Sequence, residues 1–350
     1  MPKGLVTKTK LNGLERRNMI FKCKNCGGNA VYSPEKRRMI CPYCDSENSY
    51  DRKTNANDIV SNIENCPDCG GTIPVEQFDS AMHCPYCGNS IIFDERVQGE
   101  YLPKFIIPFE LGKDNCKALI REKFKKLTFA PADFLSEVCL NTMQGDYVPF
   151  WFYDYKTNAV FEGQGTKVRS WTSGSYRYTE TSYYNVVRDM NIPFEKLPAD
   201  ASIKMPDNVM DLMEPYTYSK LRDFEPEYLS GFNAEIYNMP AEEIEGRAKK
   251  KMEDDASAIL RSSISGYSSV IKNNQRISVL DRNVNYGLMP VWKYVYQYKE
   301  QEYPFYVNGE TGKIIGTAPL SKSKVVGYTF TLWALLTAIL ASINGILGLI

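Results

Sequence analysis

Histidine is nearly absent from this sequence: His83 is the single example in 350 residues. It directly precedes Cys84, one of eight regularly spaced cysteines, so we expect it to belong to that cysteine-rich segment. Ser-His-Asp and Cys-His mechanisms need a histidine base and are therefore disfavoured. The chain also has no Gly-x-x-x-x-Gly-Lys-Ser/Thr phosphate loop, the nucleotide site that a helicase would need. These absences predict a protein that is not an enzyme.

A net charge is absent as well, because Lys+Arg and Asp+Glu each number 42. The bulk charge therefore predicts no polyanionic partner. The N-terminus has no apolar run that resembles an export signal, so we expect no export. Residues 1–22 instead form a basic arm with six cations against Glu15 alone. We interpret this arm as a solvated, frayed terminus; the alternative is a contact for nucleic acid or acidic lipid.

Eight of the ten cysteines form four Cys-x-x-Cys pairs in two quartets, and each cysteine of the first quartet recurs 43 positions later. Within each quartet, 14 residues separate the two pairs. Two such turns brought together by a hairpin present four thiolates to one ion, with Zn–S distances near 2.3 Å. The sequence therefore predicts two tandem four-cysteine zinc ribbons, at residues 23–57 and 58–95. Their predicted ligands are Cys23, Cys26, Cys41, Cys44, Cys66, Cys69, Cys84 and Cys87.

Four thiolates fill a tetrahedral shell, so each of the two predicted Zn²⁺ ions is structural, with no open position for water or substrate. Iron in the same cage remains an alternative. Disulfides would require an oxidising compartment, and a thioredoxin-type site needs one Cys-x-x-Cys rather than four in register. Cys116 and Cys139, the two cysteines outside the array, lie in apolar settings and are expected to be buried and inert.

The two predicted ribbons differ in charge. The first carries the run Lys36-Arg37-Arg38 on its hairpin, which could contact nucleic acid. Residues 58–93 contain no Lys or Arg, so the second ribbon is a poor duplex binder. Ribbons of this kind also serve as protein-binding or spacer modules, and the sequence leaves these alternatives open.

Residues 101–320 predict an α+β body rich in antiparallel sheet. Helical periodicity marks residues 114–127 and 240–263, whereas alternating aromatic residues mark strands from Gly145 onward and from Pro290 onward. We expect Gly163, Gly165 and Gly174 to be turns. The repeated Pro-x-Trp-x-Tyr pattern at residues 149–153 and 290–294 suggests two related lobes.

A group of tyrosines follows the first aromatic strand. At strand spacing we interpret them as a half-buried sheet face, and a base-stacking platform is the alternative. They are Tyr176, Tyr178, Tyr183 and Tyr184.

Residues 325–350 contain no charged residue. As a helix they would extend about 39 Å, enough to cross roughly 30 Å of hydrocarbon, so we expect a single C-terminal transmembrane anchor. Lys322 and Lys324 precede this segment, and the positive-inside rule predicts a cell-membrane protein with its folded domains in the cytoplasm. Small residues four apart (Ala334, Ala338 and Ser342) favour helix pairing and thus a homo-oligomer.

Taken together, these segments resemble a bacterial family with a double zinc ribbon, an α+β body and a C-terminal hydrophobic helix. The most specific body motifs are Gly-x-Tyr-x-Pro-x-Trp, here Gly145 to Trp151, and Tyr228-Leu-Ser-Gly-Phe232. Members are often labelled as primosomal or helicase-like, because their ribbons are similar to zinc modules of replication-restart helicases. The resemblance implies that the eight cysteines bind zinc, and it supplies no catalytic residue.

This family includes a membrane protein of Gram-positive bacteria with the same layout. The resemblance to it implies a role at the cell envelope alongside an SPFH-domain (flotillin-like) protein and phage-shock protein A. We therefore expect a membrane-anchored scaffold in envelope-stress or membrane-organising complexes. The alternative is a membrane-tethered nucleic-acid-binding zinc-ribbon protein.

Overall fold

Two β-sheets and five α-helices make up the described part of the chain, residues 17–50, 59–60 and 65–347 of the computed structural model. One sheet has 12 strands and the other has three. Two clusters of four cysteines and an apolar C-terminal helix accompany the sheet-rich body. The predicted α+β fold is therefore confirmed.

The first ribbon has its own three-stranded antiparallel sheet. Its strands are β2 (Val31–Ser33), β3 (Arg38–Ile40) and β4 (Glu47–Asn48), and they follow β1 (Arg17–Met19) in the chain. The end of the predicted basic arm is thus ordered, since Arg17–Met19 forms β1 and both Ile20 and Phe21 are buried. Residues 1–16 of that arm lie outside the described residues.

The second ribbon belongs to the large sheet. It contains β6 (Asp79–His83) and β7 (Ser90–Phe93), which pair with each other. Strand β7 also pairs with β1, and β1 in turn pairs with β5 (Ile59–Val60). On the other side, β6 pairs with β12 (Asn233–Glu235) of the body. The second ribbon is therefore joined to the body by backbone hydrogen bonds, whereas the first ribbon is not part of that sheet.

The body adds the remaining strands and four of the five helices, and the fifth helix follows the body in the chain. The strands are β8 (Phe105–Ile106), β9 (Gln144–Ser173), β10 (Tyr176–Asp200), β11 (Arg222–Asp223), β13 (Ser269–Tyr298), β14 (Gln301–Asn308) and β15 (Ile314–Ile315). The helices are α1 (Lys113–Phe124), α2 (Glu137–Leu140), α3 (Asp207–Met213), α4 (Ala241–Ser263) and α5 (Lys322–Leu347). The helices predicted over residues 114–127 and 240–263 correspond to α1 and α4, and α1 ends at Phe124, earlier than predicted.

Three strands are unusually long. Strands β9 and β13 each have 30 residues and β10 has 25, and they run in the order β10-β9-β13. Near the start of β9 they form the core of the molecule, where Tyr147, Phe150 and Tyr153 are fully buried. The two Pro-x-Trp-x-Tyr segments lie in the neighbouring strands β9 and β13; the two-lobe interpretation stays a prediction.

Farther along, the same strands project as an arm, which we call the distal arm (residues 163–187 and 267–280). Helix α4 covers only the base of this arm, where its residues Ala256 and Leu260 pack in one cluster with Phe161 and Val186. Beyond that point most residues of the arm are exposed on both faces of the sheet. The arm therefore lacks a hydrophobic core of its own.

The structure of the distal arm shows that the turns predicted at Gly163 and Gly165 are wrong. Gly163 and Gly165 lie within β9 rather than in turns, and only Gly174 is at a hairpin turn, with φ near 62°. A Cβ on Gly163 would come within 2.5 Å of the Ile271 carbonyl oxygen, and one on Gly165 would meet the ring of Tyr267. These glycines therefore permit close approach across the sheet rather than a change of direction.

The tyrosines of the arm are not half-buried. They are exposed in the structure because, within the described part of the chain, neither a helix nor a second sheet covers this part of β10. The exposed members are Tyr176, Tyr178, Tyr183 and Tyr184.

The start of helix α5 is attached to the body. Ser321 N donates to Phe129 O at 2.7 Å and Lys324 Nζ donates to Ala130 O at 2.7 Å. The ring of Tyr328 also contacts the ring of Phe129 edge-on, at 5.4 Å between centroids. From Lys322 to Ser342 the helix is long and apolar enough to cross a membrane, and none of that span is buried in the protein.

Candidate metal centres

The first cysteine quartet converges on one point. Sulfur atoms from the two hairpin turns approach each other, with Cys23 Sγ 3.7 Å from Cys44 Sγ and Cys26 Sγ 3.4 Å from Cys41 Sγ. A tetrahedral zinc ion with 2.3 Å bonds requires sulfur atoms roughly 3.8 Å apart. The four sulfurs lie within 4.8 Å of one another. This geometry fits a single tetrahedral ion.

The second quartet repeats this arrangement. Cys66 Sγ lies 3.7 Å from Cys87 Sγ, and Cys69 Sγ lies 3.7 Å from Cys84 Sγ. In both quartets the first and third cysteines are buried and the second is exposed. The 43-residue sequence repeat is therefore a structural repeat. Each quartet could hold one structural Zn²⁺, and all eight predicted ligands belong to these two groups.

Glycines shape the turns that carry the sulfurs. Gly27 and Gly70 have φ near 75° and 72°, in the left-handed region that disfavours residues with a Cβ. At the next position a Cβ on Gly28 would come within 2.6 Å of the Tyr43 ring. The equivalent pair in the second ribbon is Gly71 and Tyr86, with the same separation. Each tyrosine ring therefore packs closely against its partner glycine, which brings the two turns of a site together.

Hydrogen bonds with Ser46 lower the pKa of two cysteines of the first site, Cys23 and Cys44, and so favour their thiolate forms. Ser46 Oγ lies 3.0 Å from Cys23 Sγ and 3.1 Å from Cys44 Sγ. The Ser46 hydroxyl is the main reason that the pKa of Cys23 is lowered to about 5. Zinc binds the thiolate, so this contact assists metal binding.

His83 lies in the second ribbon, as predicted, at the end of β6. It is not part of either sulfur cluster. Its Nδ1 lies 3.3 Å from Asn233 Oδ1, and Asn233 Nδ2 donates to Asp146 Oδ1 at 3.0 Å. His83 therefore links the second ribbon to the body.

A body segment that the sequence singled out only by resemblance, residues 228–232, holds the first ribbon in place. Tyr32 N donates to Ser230 O at 2.9 Å, and Ser230 Oγ donates to Ala30 O at 2.8 Å. The Tyr228 ring packs edge-on against that of Tyr32 at 5.2 Å. We call residues 228–232 the ribbon clamp.

The ribbon clamp also contacts the second ribbon. Gly231 N donates to Ser90 Oγ at 2.9 Å, and Asn29 of the first ribbon donates from Nδ2 to Ser90 O at 3.2 Å. Gly231 has φ near 96°, and a Cβ there would lie 3.0 Å from Val31 Cβ. Both ribbons and the body therefore meet at one glycine.

The other body motif, Gly145 to Trp151, packs against the ribbon clamp. A Cβ on Gly145 would come within 2.7 Å of the Phe232 ring, and Tyr147 is buried against the same ring at 5.6 Å. Phe109 N donates to Tyr147 Oη at 3.2 Å. The two motifs behind the family resemblance thus form one contact, and sequence spacing carried no signal of it.

The basic run of the first ribbon is engaged within the protein. Arg37 forms an ion pair with Glu110 of the body, at 3.7 Å, and Arg38 pairs with Glu47 of its own ribbon. Both arginines lose part of their capacity to bind phosphate through these contacts. The run is therefore a weaker candidate for nucleic-acid binding than the sequence suggested.

The remaining cysteines are separate from the metal centres. Cys116 is fully buried, and burial raises the pKa of its thiol to about 12. Cys139 is half-buried, more accessible than predicted. Cys116 therefore has the environment of an inert core residue.

Comparison with known proteins gives a relative that spans nearly the whole chain. The chain is 38% identical over 314 residues to the uncharacterized protein YdjG of Bacillus subtilis (strain 168), an alignment that covers 88% of this chain and 92% of YdjG. No family model matches the sequence, and no solved structure matches the chain. With this identity over this length, the chain belongs to the YdjG family.

Proposed function

We propose that this protein is a non-enzymatic scaffold anchored in the cell membrane by helix α5, with its zinc ribbons and body in the cytoplasm. Its partners would be SPFH-domain and phage-shock-type proteins of envelope-stress or membrane-organising complexes. The observation that carries the proposal is the exposed apolar helix, in a protein whose two candidate metal centres each consist of four cysteines.

The case for an anchor rests on the exposed apolar area. Large side chains such as Phe330, Trp333 and Leu336 are more than half exposed along α5. A soluble protein rarely leaves so large an apolar surface in water. Lipid would cover the helix on all sides, and Lys322 and Lys324 would lie at the cytoplasmic boundary.

The case for a scaffold rests on what the metal centres can do. A zinc ion that already has four thiolate ligands cannot activate water or polarise a substrate. Its role is to fold the ribbon and fix the residues on its surface. Tyr43 and Tyr86 are 69% and 68% exposed on the two ribbons, where they could contact a partner protein.

Deletion of residues 325–350 tests the anchor. We expect the truncated protein to move from the membrane fraction to the soluble fraction and to retain two zinc ions. A matched control replaces Ala334 with Leu, which keeps the helix apolar and should leave the protein in the membrane. Truncated protein that still sediments with membranes would refute the anchor.

A purification from detergent-solubilised host membranes tests the scaffold. We expect full-length protein to recover SPFH-domain or phage-shock-type proteins, and the Cys23→Ser variant to lose them if the first ribbon is the docking surface. Cys139→Ser is the control, since Cys139 lies outside both metal centres. Recovery of neither class of protein from wild-type protein would contradict the proposed partners.

A further inference from the structure

The two faces of the distal arm differ in chemistry. Residues paired across antiparallel strands point to the same face. The pairs Trp171–Tyr178 and Ser173–Tyr176 therefore share a face with Lys167 and Arg169, which alternate with Trp171 along β9. We call this face the aromatic face. Its aromatic and basic members are Lys167, Arg169, Trp171, Tyr176, Tyr178, Tyr184, Tyr267 and Lys272.

The opposite face is mostly uncharged. It presents small and β-branched side chains, with Tyr183 as its aromatic residue on β10 and Arg177 as its cation there. Its other members on the hairpin are Gln164, Thr166, Val168, Ser170, Thr172, Thr179, Thr181, Asn185 and Val187. The same strands therefore carry an aromatic, basic face and a mostly uncharged face, which can be compared by substitution.

The rings and cations of the aromatic face are arranged together. The Trp171 and Tyr178 rings lie side by side at 5.7 Å and 15°, and the Arg169 guanidinium lies 5.8 Å from the Trp171 ring. Lys167 Nζ lies 5.3 Å from the Tyr184 ring and 5.5 Å from the Tyr267 ring. Trp171 and Tyr178 remain nearly half exposed and Tyr176 is 70% exposed. Flat apolar surface and positive charge thus alternate along the arm.

These cations are available to a ligand. Among the described residues, no carboxylate oxygen lies within ion-pair distance of Lys167, Arg169 or Lys272, whereas Lys204 elsewhere contacts three carboxylates. Glu180 is the acidic residue that the register places on the aromatic face, opposite Arg169. The face therefore carries a net positive charge.

We infer that the aromatic face of the distal arm binds single-stranded nucleic acid, a function beyond the proposed scaffold. Exposed rings on a sheet accept unpaired bases by stacking, and neighbouring cations accept the phosphates. The face from residue 163 to residue 173 is about 30 Å long, enough for several nucleotides. A membrane surface fits less well, because the hairpin end, Ser173-Gly174-Ser175, has no apolar residue to insert.

The test measures fluorescence anisotropy of labelled oligothymidylate and oligouridylate of about 20 nucleotides, with full-length protein in detergent micelles. We expect binding at about 50 mM salt that weakens steeply as salt rises. Tyr176→Ala should weaken binding on the order of tenfold, and the Lys167→Gln/Arg169→Gln pair should also reduce the salt dependence. Trp171→Phe should retain most of the affinity.

Matched controls lie on the opposite face. Tyr183→Ala and Arg177→Gln should leave the affinity within about twofold of wild type, because these side chains point away from the ligand. Absence of binding at low salt would overturn the inference. Equal losses from variants of both faces, or a loss from charge variants alone, would identify general polyanion attraction instead. Displacement of the oligonucleotide by polyglutamate at the same charge concentration would identify an acidic polypeptide as the ligand.

Discussion

Ser230 Oγ donates a hydrogen bond to the carbonyl oxygen of Ala30 at 2.8 Å, which joins residues 200 positions apart in the sequence. The Ser230 carbonyl in turn accepts from Tyr32 N, so the ribbon clamp and the first ribbon exchange hydrogen bonds in both directions. Such paired contacts fix the position of a small domain that has little core of its own. The first ribbon is therefore held at a defined place on the body.

Replacement of Gly231 by Ala should loosen the first ribbon. The backbone there has φ near 96°, and the new Cβ would lie 3.0 Å from Val31 Cβ, so we expect a loss of about 1–3 kcal/mol in stability. Limited proteolysis should cut between the ribbon and the body sooner than in wild type. Gly246→Ala is the control, because a Cβ in that part of α4 meets nothing within 4 Å. It should stabilise the protein by about 0.5–1 kcal/mol. Unchanged proteolysis of Gly231→Ala would contradict the clamp.

The two zinc ions should differ in their effect on the whole protein. Cys26→Ser and Cys69→Ser remove equivalent exposed ligands from the first and second sites. Each variant should bind one zinc ion instead of two, as measured by metal analysis. Only Cys69→Ser should lower the main melting transition strongly, because β6 and β7 belong to the 12-stranded sheet whereas the first ribbon has its own. Equal melting temperatures for the two variants would disprove this asymmetry.

Thiol reagents should distinguish the remaining cysteines. In native protein with both sites filled we expect Cys139 to react slowly and Cys116 not at all, because Cys116 is fully buried and its thiol pKa is raised to about 12 by burial. A Cys139→Ser variant should show no reactive thiol until the metal is removed. After chelation and denaturation all ten cysteines of the wild type should react. Fast labelling of Cys116 in the native protein would show that its packing is looser than described.

Acid should weaken the contact between Glu310 and the segment before β11. Burial alone would raise the pKa of the Glu310 carboxyl, but hydrogen bonds from Thr217 and the ion pair with Lys220 at 2.9 Å outweigh it and hold the pKa below its ordinary value of 4.5. The unfolded chain therefore binds the proton more readily than the folded chain. The stabilisation is complete above pH 4.5 and is lost as the pH falls through the lower, folded-state pKa.

The variant Glu310→Gln isolates this effect. We expect it to lose about 2 kcal/mol at pH 7, because a nearly fully buried carboxylate that accepts two charge-assisted contacts is replaced by a neutral amide. The difference in unfolding free energy from wild type should shrink below pH 4.5. A difference that stays constant down to strongly acidic pH would show that the carboxylate charge has no part in it.

Local patterns predicted the parts of this protein that depend on local chemistry. The spacing of Cys23 to Cys87 defined both metal centres, because four thiolates must meet within a few ångströms whatever the rest of the chain does. The helical periodicity of residues 240–263 and the uncharged C-terminal run likewise depend on neighbours in sequence. These elements appear in the structure close to where the sequence indicated.

Contacts between segments that are far apart in the chain could not be predicted from sequence patterns. Nothing near Ser230 indicates that it meets Ala30, and nothing near Gly145 indicates that it packs on Phe232. The exposure of Tyr176 was predicted wrongly for the same reason: alternation describes one strand, whereas burial depends on whether another layer covers it. Gly163 was misassigned to a turn, because a glycine that permits close packing within a strand has the same local signature as one that permits a bend.

The length of β9 has a mechanical consequence. Its 30 residues extend for about 100 Å, from Gln144 beside the ribbon clamp to Ser173 at the hairpin end, as one uninterrupted strand bonded to β10 and β13. A force applied at the far end is carried by covalent backbone and a ladder of hydrogen bonds rather than by a flexible joint. The hairpin end is therefore joined to the seat of the zinc ribbons by one continuous strand, with no loop between them.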